Sequence, residues 1–265
     1  MHLGETFASL RRKMYYLLGR IPEKQYPLIV CQRALHEHGI TFEASNQVEE
    51  WRVRELDDEK EFLGLLLEEI CADDVFLDVG ACVGIFALHA AGKCRHVVAF
   101  EPDPGFQNRI RRNIGLNNVL NITVVPEAVS DSNGEMKLYT GGVVGRSPSL
   151  RDFGQGESIT VRTCSIDLAV KSGEIPPPNV VKIDIEGAEY LALKGMGDLL
   201  SSPAGPRAIF IEIHPVFLKD FGATAEDVIS FMESRGYERV YRRIRDNQEH
   251  GIFRKAAREL VAVHS

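Results

Sequence analysis

The segment from Val75 to Phe86 constrains the fold more than any other, because its pattern is that of a buried β-strand followed by a glycine turn and a helix. The apolar strand runs into Asp78, and the turn holds Gly80 and Gly84. In a parallel sheet, such a strand–turn–helix unit brings backbone N–H groups and a helix N-terminus up to a bound ligand. The segment therefore predicts a nucleotide-cofactor site at the carboxyl edge of a sheet.

The turn differs from the dinucleotide fingerprint G-x-G-x-x-G, which is built to receive a pyrophosphate. In this chain Asp78 stands two residues before the first glycine. A carboxylate repels phosphate and suits a cationic group, such as the α-ammonium of the methionine part of S-adenosylmethionine. A simple tight turn is the alternative interpretation. The residues predicted to surround the ligand here are Asp78, Val79, Gly80, Ala81 and Gly84.

A second apolar strand, from His96 to Glu101, also ends in an acid and is followed by Pro102. Glu101 lies roughly 20 residues after Asp78, the offset at which doubly wound folds place a ribose-binding carboxylate. A carboxylate accepts hydrogen bonds from both hydroxyls of a vicinal diol, and its charge rejects a 2′-phosphate. We therefore expect Glu101 to hold the ribose, with a solvated strand end as the alternative.

The hydrophobic pattern alternates between strand and helix from residue 75 onward. Core strands are predicted over 75–79, 96–101, 122–126, 180–186 and 208–215, and final strands over 238–244 and 251–255. Extra strands are predicted over 135–140 and 158–164, joined by a Gly- and Ser-rich loop over 141–156 that is a candidate lid or substrate loop, with plain flexibility as the alternative. The alternation predicts an α/β fold with a doubly wound, mostly parallel, seven-stranded Rossmann-like sheet and an antiparallel C-terminal hairpin.

The pattern before residue 75 is weaker. It predicts irregular or helical structure over 26–38, a strand pair over 40–55 turned at Ser45 and Asn46, and a helix from Asp57 or Asp58 to Cys71. Residues 7–18 form a candidate basic amphipathic helix. We favour packing of this helix on the rest of the protein over peripheral contact with a membrane.

Charged residues alternate with apolar ones at the ends of two predicted strands, where both faces of a buried parallel strand are expected to be apolar. The charged positions are Lys182, Asp184 and Glu186 on one strand and Glu212 and His214 on the other. Ionised groups are rarely buried unpaired, so these side chains line a cleft or pair with one another. They are the candidate catalytic residues. The alternatives are a structural ion pair for Lys182 and a structural hydrogen bond for His214.

The same acids and His214 offer the mixed oxygen and nitrogen ligands of a metal site. No compact ligand motif accompanies them, and the sequence analysis therefore predicts no metal.

Charge and cysteine content limit the partners and the compartment. A net charge of −7 argues against a nucleic-acid-binding surface, which is generally basic. The five cysteines include no C-x-x-C pair, which is typical of the reducing cytoplasm. No apolar run approaches the roughly 20 residues that span a bilayer, so we expect a cytoplasmic protein without stable membrane insertion. Nothing in the sequence indicates the oligomeric state.

An ordered series of motifs resembles the FkbM family of S-adenosylmethionine-dependent methyltransferases, within the class I Rossmann-like fold. The matching stretches are 78–84, 99–103, 113–117, 127–131, 165–167 and, above all, 181–189 with the sequence VKIDIEGAE. The resemblance extends over about residues 58–240, and the style of the chain around Glu212–Pro215 resembles archaeal members. Cys82 departs from the general methyltransferase turn, which has a third glycine at that position.

The resemblance implies a division into an N-terminal extension (1–57), a class I methyltransferase domain (58–258) and a C-terminal tail (259–265). It also implies that the Asp78–Gly84 turn surrounds the methionine part and that Glu101 holds the ribose. Glu127 and Ala128 are implied to lie near the adenine, and Asp184 near the methyl donor.

The predicted function is therefore O-methylation of a sugar, a glycan, a lipid-linked glycan or a natural product by S-adenosylmethionine. A hydroxyl acceptor needs a base, for which His214 and Asp184 are candidates. A carboxylate acceptor needs only orientation, for which Lys182 is the candidate. Three alternatives remain open: methylation of nitrogen or of a nucleic acid, an adenosine-ligand binder without turnover, and an NAD-dependent oxidoreductase.

Overall fold

The structure of the protein is a computed structural model. It describes residues 25–32, 35, 39–56, 59–140, 149–152, 154, 157–245 and 247–256. The strands are β1 (Leu28–Gln32), β2 (Ile40–Ala44), β3 (Val75–Val79), β4 (His96–Phe100), β5 (Ile122–Val125), β6 (Ala128–Val129), β7 (Gly134–Thr140), β8 (Glu157–Cys164), β9 (Val180–Ile183), β10 (Ala208–Ile213), β11 (Tyr237–Arg245) and β12 (Gln248–Lys255). The helices are α1 (Gln47–Glu55), α2 (Glu59–Glu69), α3 (Ile85–Ala91), α4 (Pro104–Leu116), α5 (Ile166–Ser172), α6 (Glu189–Lys194), α7 (Gly197–Ser201), α8 (Pro215–Leu218) and α9 (Ala225–Glu233).

A seven-stranded sheet forms the centre, with the order β11-β12-β10-β9-β3-β4-β5. The pairs from β10 through β9, β3 and β4 to β5 are parallel, and β12 is antiparallel to both β10 and β11. The order along the sheet reverses around β3 and β9, which is where open α/β sheets bind ligands. The predicted fold class is confirmed, including its antiparallel C-terminal hairpin.

Both faces of the sheet are covered by helices. β3 shows why, because its five residues are all buried and alternate between two apolar clusters. Phe76 packs on one face with Phe62 of α2 and Ile110 of α4. Leu77 packs on the other face, in a cluster that includes Val228 of α9. The carboxyl ends of the parallel strands remain as the edge that a ligand can reach.

The N-terminal predictions were partly wrong. A strand, β1, lies where irregular or helical structure was expected, and it pairs with β2 in a two-stranded antiparallel sheet. Ser45 and Asn46 do not turn a strand pair but precede α1, where the Ser45 N–H donates to Glu49 Oε2 over 2.7 Å and the Glu49 N–H donates to Asn46 Oδ1 over 3.0 Å. The polar pair was therefore a helix N-terminal signal, because such side chains satisfy the first free N–H groups of a helix.

β2, the second of the N-terminal strands, is joined to α4 by the asparagines of one of the family-like motifs. Asn113 Oδ1 accepts from the Glu43 N–H over 2.8 Å, and Asn117 exchanges hydrogen bonds with the backbone of Thr41 over 2.9 and 2.7 Å. The division of the chain at residue 57 stays a prediction.

Three expectations concern residues outside the described part: the helix over 7–18, the cap at Asp57 or Asp58 and most of the loop over 141–156. Within the described part, none of the helices has the length and apolarity that crossing a bilayer requires.

Candidate functional site

The turn after β3, residues 80–84, is held by backbone geometry; we call it the glycine turn. The N–H groups of Gly80 and Ala81 both donate to the carbonyl of Phe100, over 3.1 and 3.0 Å. A Cβ on Gly80 would lie 2.0 Å from the carbonyl oxygen of Asp184, and the φ of Gly80 is +81°. Only glycine fits there, because the loop after β9 passes directly over it.

Cys82 occupies the glycine turn with a φ of +52°, in the left-handed region. Residues with a side chain rarely adopt this conformation. The departure from the general motif therefore keeps the backbone shape that a glycine would give and adds a thiol. The Cys82 N–H donates to Glu101 Oε2 over 2.8 Å, which joins the turn to the end of β4.

Glu101 lies at the end of β4 with only 5% of its surface exposed. Its second carboxylate oxygen, Oε1, accepts from the Asp103 N–H over 2.9 Å. Burial raises its pKa to about 7, although the two backbone hydrogen bonds oppose the shift. Each oxygen keeps a lone pair for another donor. Pro102 follows, and its carbonyl accepts from Gln107 Nε2 over 3.1 Å.

The carboxylate of Asp78 is fully buried and faces a cation of the protein itself. Lys182 is its direct neighbour in the parallel pairing of β3 with β9, and its Nζ lies 3.3 Å from Asp78 Oδ1. The same Nζ donates to the Gly80 carbonyl over 3.0 Å and lies 3.7 Å from Asp184 Oδ2. Asp78 therefore has no exposed surface toward a ligand, and its direct contact with a ligand cation stays a prediction. The structural ion pair that was the alternative for Lys182 is present.

β9 is shorter than predicted, ending at Ile183 instead of at residue 186, and Glu186 adopts a φ of +53°. The chain therefore leaves the sheet before the last two acids. It nevertheless brings them to the end of β10, where His214 Nε2 lies 3.6 Å from Glu212 Oε1 and 3.9 Å from Glu186 Oε2. We call Asp184, Glu186, Glu212 and His214 the His214 cluster.

His214 is oriented by Glu189, a residue of α6 that the sequence analysis did not include among the site residues. His214 Nδ1 lies 2.7 Å from Glu189 Oε1, and Glu189 has no exposed surface. The imidazole ring also stacks on Phe217, with ring centroids 5.6 Å apart. Burial alone would lower the pKa of His214, but the bond to Glu189 and the nearby carboxylates raise it to about 10. Without a further ligand, the surroundings favour an imidazolium, which lacks the lone pair of a general base.

Glu212 is held from β12, by side chains that the sequence analysis missed. Glu212 pairs in register with His250, whose Nε2 lies 3.1 Å from Glu212 Oε2. Gln248 Nε2 donates to Glu212 Oε1. No local signal identifies these partners, because they reach Glu212 only through the antiparallel pairing of β10 with β12.

Two charged residues of the N-terminal half also approach the cluster. Arg52 of α1 donates to Cys82 Sγ over 3.7 Å; burial lowers its pKa, but nearby acidic groups raise it above the usual value. Burial and the charges of Glu212 and Asp184 raise the pKa of Glu59 to about 7. Arg52 was not predicted as a site residue because a strand was expected over this segment. A helix presents a different set of side chains to the site than a strand does.

The predicted adenine turn lies at the edge of a second, three-stranded sheet. Ala128 belongs to β6, which pairs with β8, and Glu127 forms an ion pair with Arg162 of β8. Glu127 is mostly buried and Arg162 is largely exposed. β6 begins at Ala128, shortly after the end of β5 at Val125, so this sheet starts at the carboxyl end of β5.

Comparison with known proteins identifies the family. The model of the methyltransferase FkbM domain matches residues 78–239. The hexuronic acid methyltransferase AglP of Haloferax volcanii is 36% identical over 175 residues, covering 65% of this chain and 70% of that protein. Methyltransferase 1 of Beauveria bassiana is 28% identical over 153 residues, covering 48% of this chain and 60% of that protein.

A crystal structure of methyltransferase FkbM from Methylobacillus flagellatus KT aligns with 80% of this chain and 55% of that one, at 17% identity and a TM-score of 0.47. The family match extends over more than half of the chain and contains both the glycine turn and the His214 cluster. The chain belongs to the FkbM family of S-adenosylmethionine-dependent methyltransferases.

Proposed function

We propose that this protein transfers the methyl group of S-adenosylmethionine to an oxygen atom of a glycan that contains a hexuronic acid. The observation that carries the proposal is the similarity to a hexuronic acid methyltransferase over a stretch that covers most of that protein. The polar site at the ends of β9 and β10 supports it, because sugar acceptors are recognised through hydroxyl and carboxylate groups rather than through apolar surface.

The cofactor site that we propose follows the strand ends. The glycine turn, from Gly80 to Gly84, contacts the methionine part, and Glu101 accepts the two ribose hydroxyls. Glu127 and Ala128 border the adenine. The fit to S-adenosylmethionine is electrostatic as well, because the acids of this edge suit a ligand that carries a sulfonium and an ammonium group. Asp78 acts indirectly, through Lys182.

The reaction is a displacement at the methyl carbon. The bond from sulfur to the methyl group breaks, a bond from the acceptor oxygen to the methyl group forms, and S-adenosylhomocysteine leaves as a neutral thioether. Alignment of the two reactants in a closed cleft supplies much of the acceleration. Asp184 borders the methyl donor in this proposal.

A hydroxyl acceptor must also lose its proton, and the candidate acceptors of this proton are the carboxylates of the His214 cluster. The pKa of His214, raised to about 10, makes this residue a weaker candidate for proton abstraction than the carboxylates. A carboxylate acceptor loses no proton, and Lys182 is too buried to contact it.

A radiochemical assay tests the proposal. The full chain, with methyl-labelled S-adenosylmethionine, is expected to label an oligosaccharide that ends in a hexuronic acid and to leave the matched neutral hexose oligosaccharide unlabelled. Mild alkali releases the label from a methyl ester but not from a methyl ether, and so identifies the acceptor oxygen. Equal labelling of both oligosaccharides, or of neither, contradicts the proposed acceptor.

The compartment and the remaining partners are part of the same proposal. The five cysteines are all free, which supports a reducing compartment such as the cytoplasm. We propose no nucleic-acid partner. Peripheral contact with a membrane carrying a lipid-linked glycan and the oligomeric state stay open to measurement.

A further inference from the structure

We propose that Asp184, Glu212 and His214 bind one divalent cation, and that this cation holds the acidic sugar acceptor. The role of the cation in holding the acceptor rests on the function proposed above. The three residues belong to no compact ligand motif, and for that reason no metal was expected from the sequence. They come together only where the end of β10 meets the loop after β9.

The first argument is geometric. One oxygen of Asp184, one oxygen of Glu212 and one nitrogen of His214 all lie within 4.8 Å of one another. Ligands bonded to one cation at about 2.1 Å lie roughly 3 to 4 Å apart. The 3.6 Å between His214 Nε2 and Glu212 Oε1 already falls in this range. The Asp184 side chain is the most exposed of the three and is therefore the one most free to rotate toward the other two.

The second argument is the state of His214 Nε2. The side chain of His214 is 5% exposed, and its Nδ1 is occupied by Glu189. Nε2 lies 3.6 Å from a Glu212 oxygen and 3.9 Å from a Glu186 oxygen, within ion-pair range but too long for hydrogen bonds. An imidazole nitrogen that faces carboxylates without a hydrogen bond is an arrangement that a cation can complete.

The third argument is how the candidate ligands are oriented. Metal-bound histidines typically use their other ring nitrogen to bind a carboxylate, and metal-bound carboxylates are themselves hydrogen-bonded. His214 has this partner in Glu189. Glu212 has its partners in Gln248 and His250. These hydrogen bonds fix the positions of two of the three candidate ligands.

The fourth argument is charge. The cluster and its neighbour Glu59 supply four carboxyl groups, which are opposed in part by the side-chain cations of Lys182 and Arg52. A divalent cation between these acids and the hexuronate group of an acceptor adds an attraction that the acids alone do not supply. Carboxylate and imidazole ligands suit Mn²⁺ and related divalent ions. A cation here also lowers the pKa of a bound acceptor hydroxyl, so that its proton leaves more readily before methyl transfer.

Binding of Mn²⁺ to the chelator-treated full chain tests the site, since bound Mn²⁺ loses the electron paramagnetic resonance signal of the free ion. The expected result is one Mn²⁺ per chain, with Kd weakened at least 10-fold in Asp184→Asn and in Glu212→Gln. The exposed Glu61→Gln variant is the matched control, and its Kd is expected to be unchanged. Absence of stoichiometric binding to the wild type, or wild-type Kd in both cluster variants, overturns the site.

Two further readouts keep the inference separate from the proposed function. Thermal unfolding identifies a variant that fails to fold. Asp184→Asn is expected to perturb folding less than Glu212→Gln, because the Asp184 side chain is partly exposed. If protein from which the chelator has removed metal methylates the hexuronate glycan at the full rate, the inferred role of the cation is wrong and the proposed function stands. If Mn²⁺ binds but raises neither the affinity for that glycan nor its methylation, the site stands and its role in holding the acceptor is rejected.

Discussion

The glycine turn and the His214 cluster lie at the same edge of the sheet, but they are built in different ways. The turn is one contiguous segment whose contacts are made largely by backbone atoms, from Gly80 to its link with Glu101. The cluster is assembled from side chains of the loop after β9 and of β10, and is supported from α6 and β12. Shape is therefore the constraint on the turn, whereas the identity of individual atoms is the constraint on the cluster.

This difference bears on how each region tolerates substitution. The turn accepts a cysteine at position 82 because that residue holds a left-handed φ. The backbone conformation therefore matters more at this position than the identity of the side chain. In the cluster, replacing an oxygen of Glu212 by an amide nitrogen alters the hydrogen bonds with Gln248 and His250. Lys182 connects the two regions, because its Nζ contacts both Gly80 and Asp184.

The largest effect is expected for Lys182→Met. Removal of the ammonium leaves the fully buried Asp78 carboxylate without its cation, and loss of one partner of a buried ion pair costs about 3 to 5 kcal/mol of the free energy of unfolding. Urea denaturation measures this. The double variant Asp78→Asn with Lys182→Met removes the stranded charge and is expected to recover part of the loss. A single variant as stable as the wild type contradicts the role of Lys182 as a connection between the regions.

Gly80→Ala follows. Its added Cβ meets the Asp184 carbonyl oxygen at 2.0 Å, and the residue must keep a φ of +81°. Overpacking in a closely packed region costs about 1 to 3 kcal/mol, and the affinity for S-adenosylmethionine is expected to fall with it. Gly115→Ala is the matched control, because a Cβ there meets nothing within 4 Å and the residue lies in α4. It is expected to leave the stability unchanged or to raise it by up to about 1 kcal/mol.

The same contrast explains how much of the site the sequence could predict. Asp78, Gly80 and Glu101 end adjacent strands, so the strand pattern alone places them at one edge. The pairing of Asp78 with Lys182 could not be predicted, because the sequence does not show which residue lies beside Asp78 in the sheet. Packing of α6 against the end of β10 brings Glu189 to His214, and no local pattern encodes a contact of that kind.

The central sheet was predictable for a related reason. Its strands are apolar runs separated by helices with a clear period, and burial on both faces leaves few other interpretations. In the N-terminal region, the short polar segment at Ser45 and Asn46 has the composition of a hairpin turn and of a helix cap alike. Only the contact of Glu49 with both residues decides for the cap.

Glu101→Gln tests how much one side chain contributes to the proposed cofactor site. One carboxylate oxygen becomes an NH₂ group, which faces either the Cys82 or the Asp103 N–H and can no longer accept. We expect the Kd for S-adenosylmethionine, measured by calorimetry, to weaken about 10- to 30-fold, or by roughly 1.4 to 2 kcal/mol. The exposed Glu135→Gln variant is the control. If Glu101→Gln binds the cofactor as the wild type does, the proposed ribose contact is wrong.

The smallest effect is expected for Cys82→Gly, and it separates backbone shape from side-chain chemistry most directly. Glycine relieves the left-handed φ of +52° but adds conformational entropy to the unfolded chain. The two contributions oppose each other, so we expect the free energy of unfolding to change by less than about 1 kcal/mol and the affinity for S-adenosylmethionine to be retained. Cys82→Val provides the contrast, because a β-branched residue is strained at positive φ and is expected to be less stable by about 1 to 2 kcal/mol. If valine is tolerated and glycine is not, the thiol rather than the backbone shape matters at this position, and the distinction between the two regions fails.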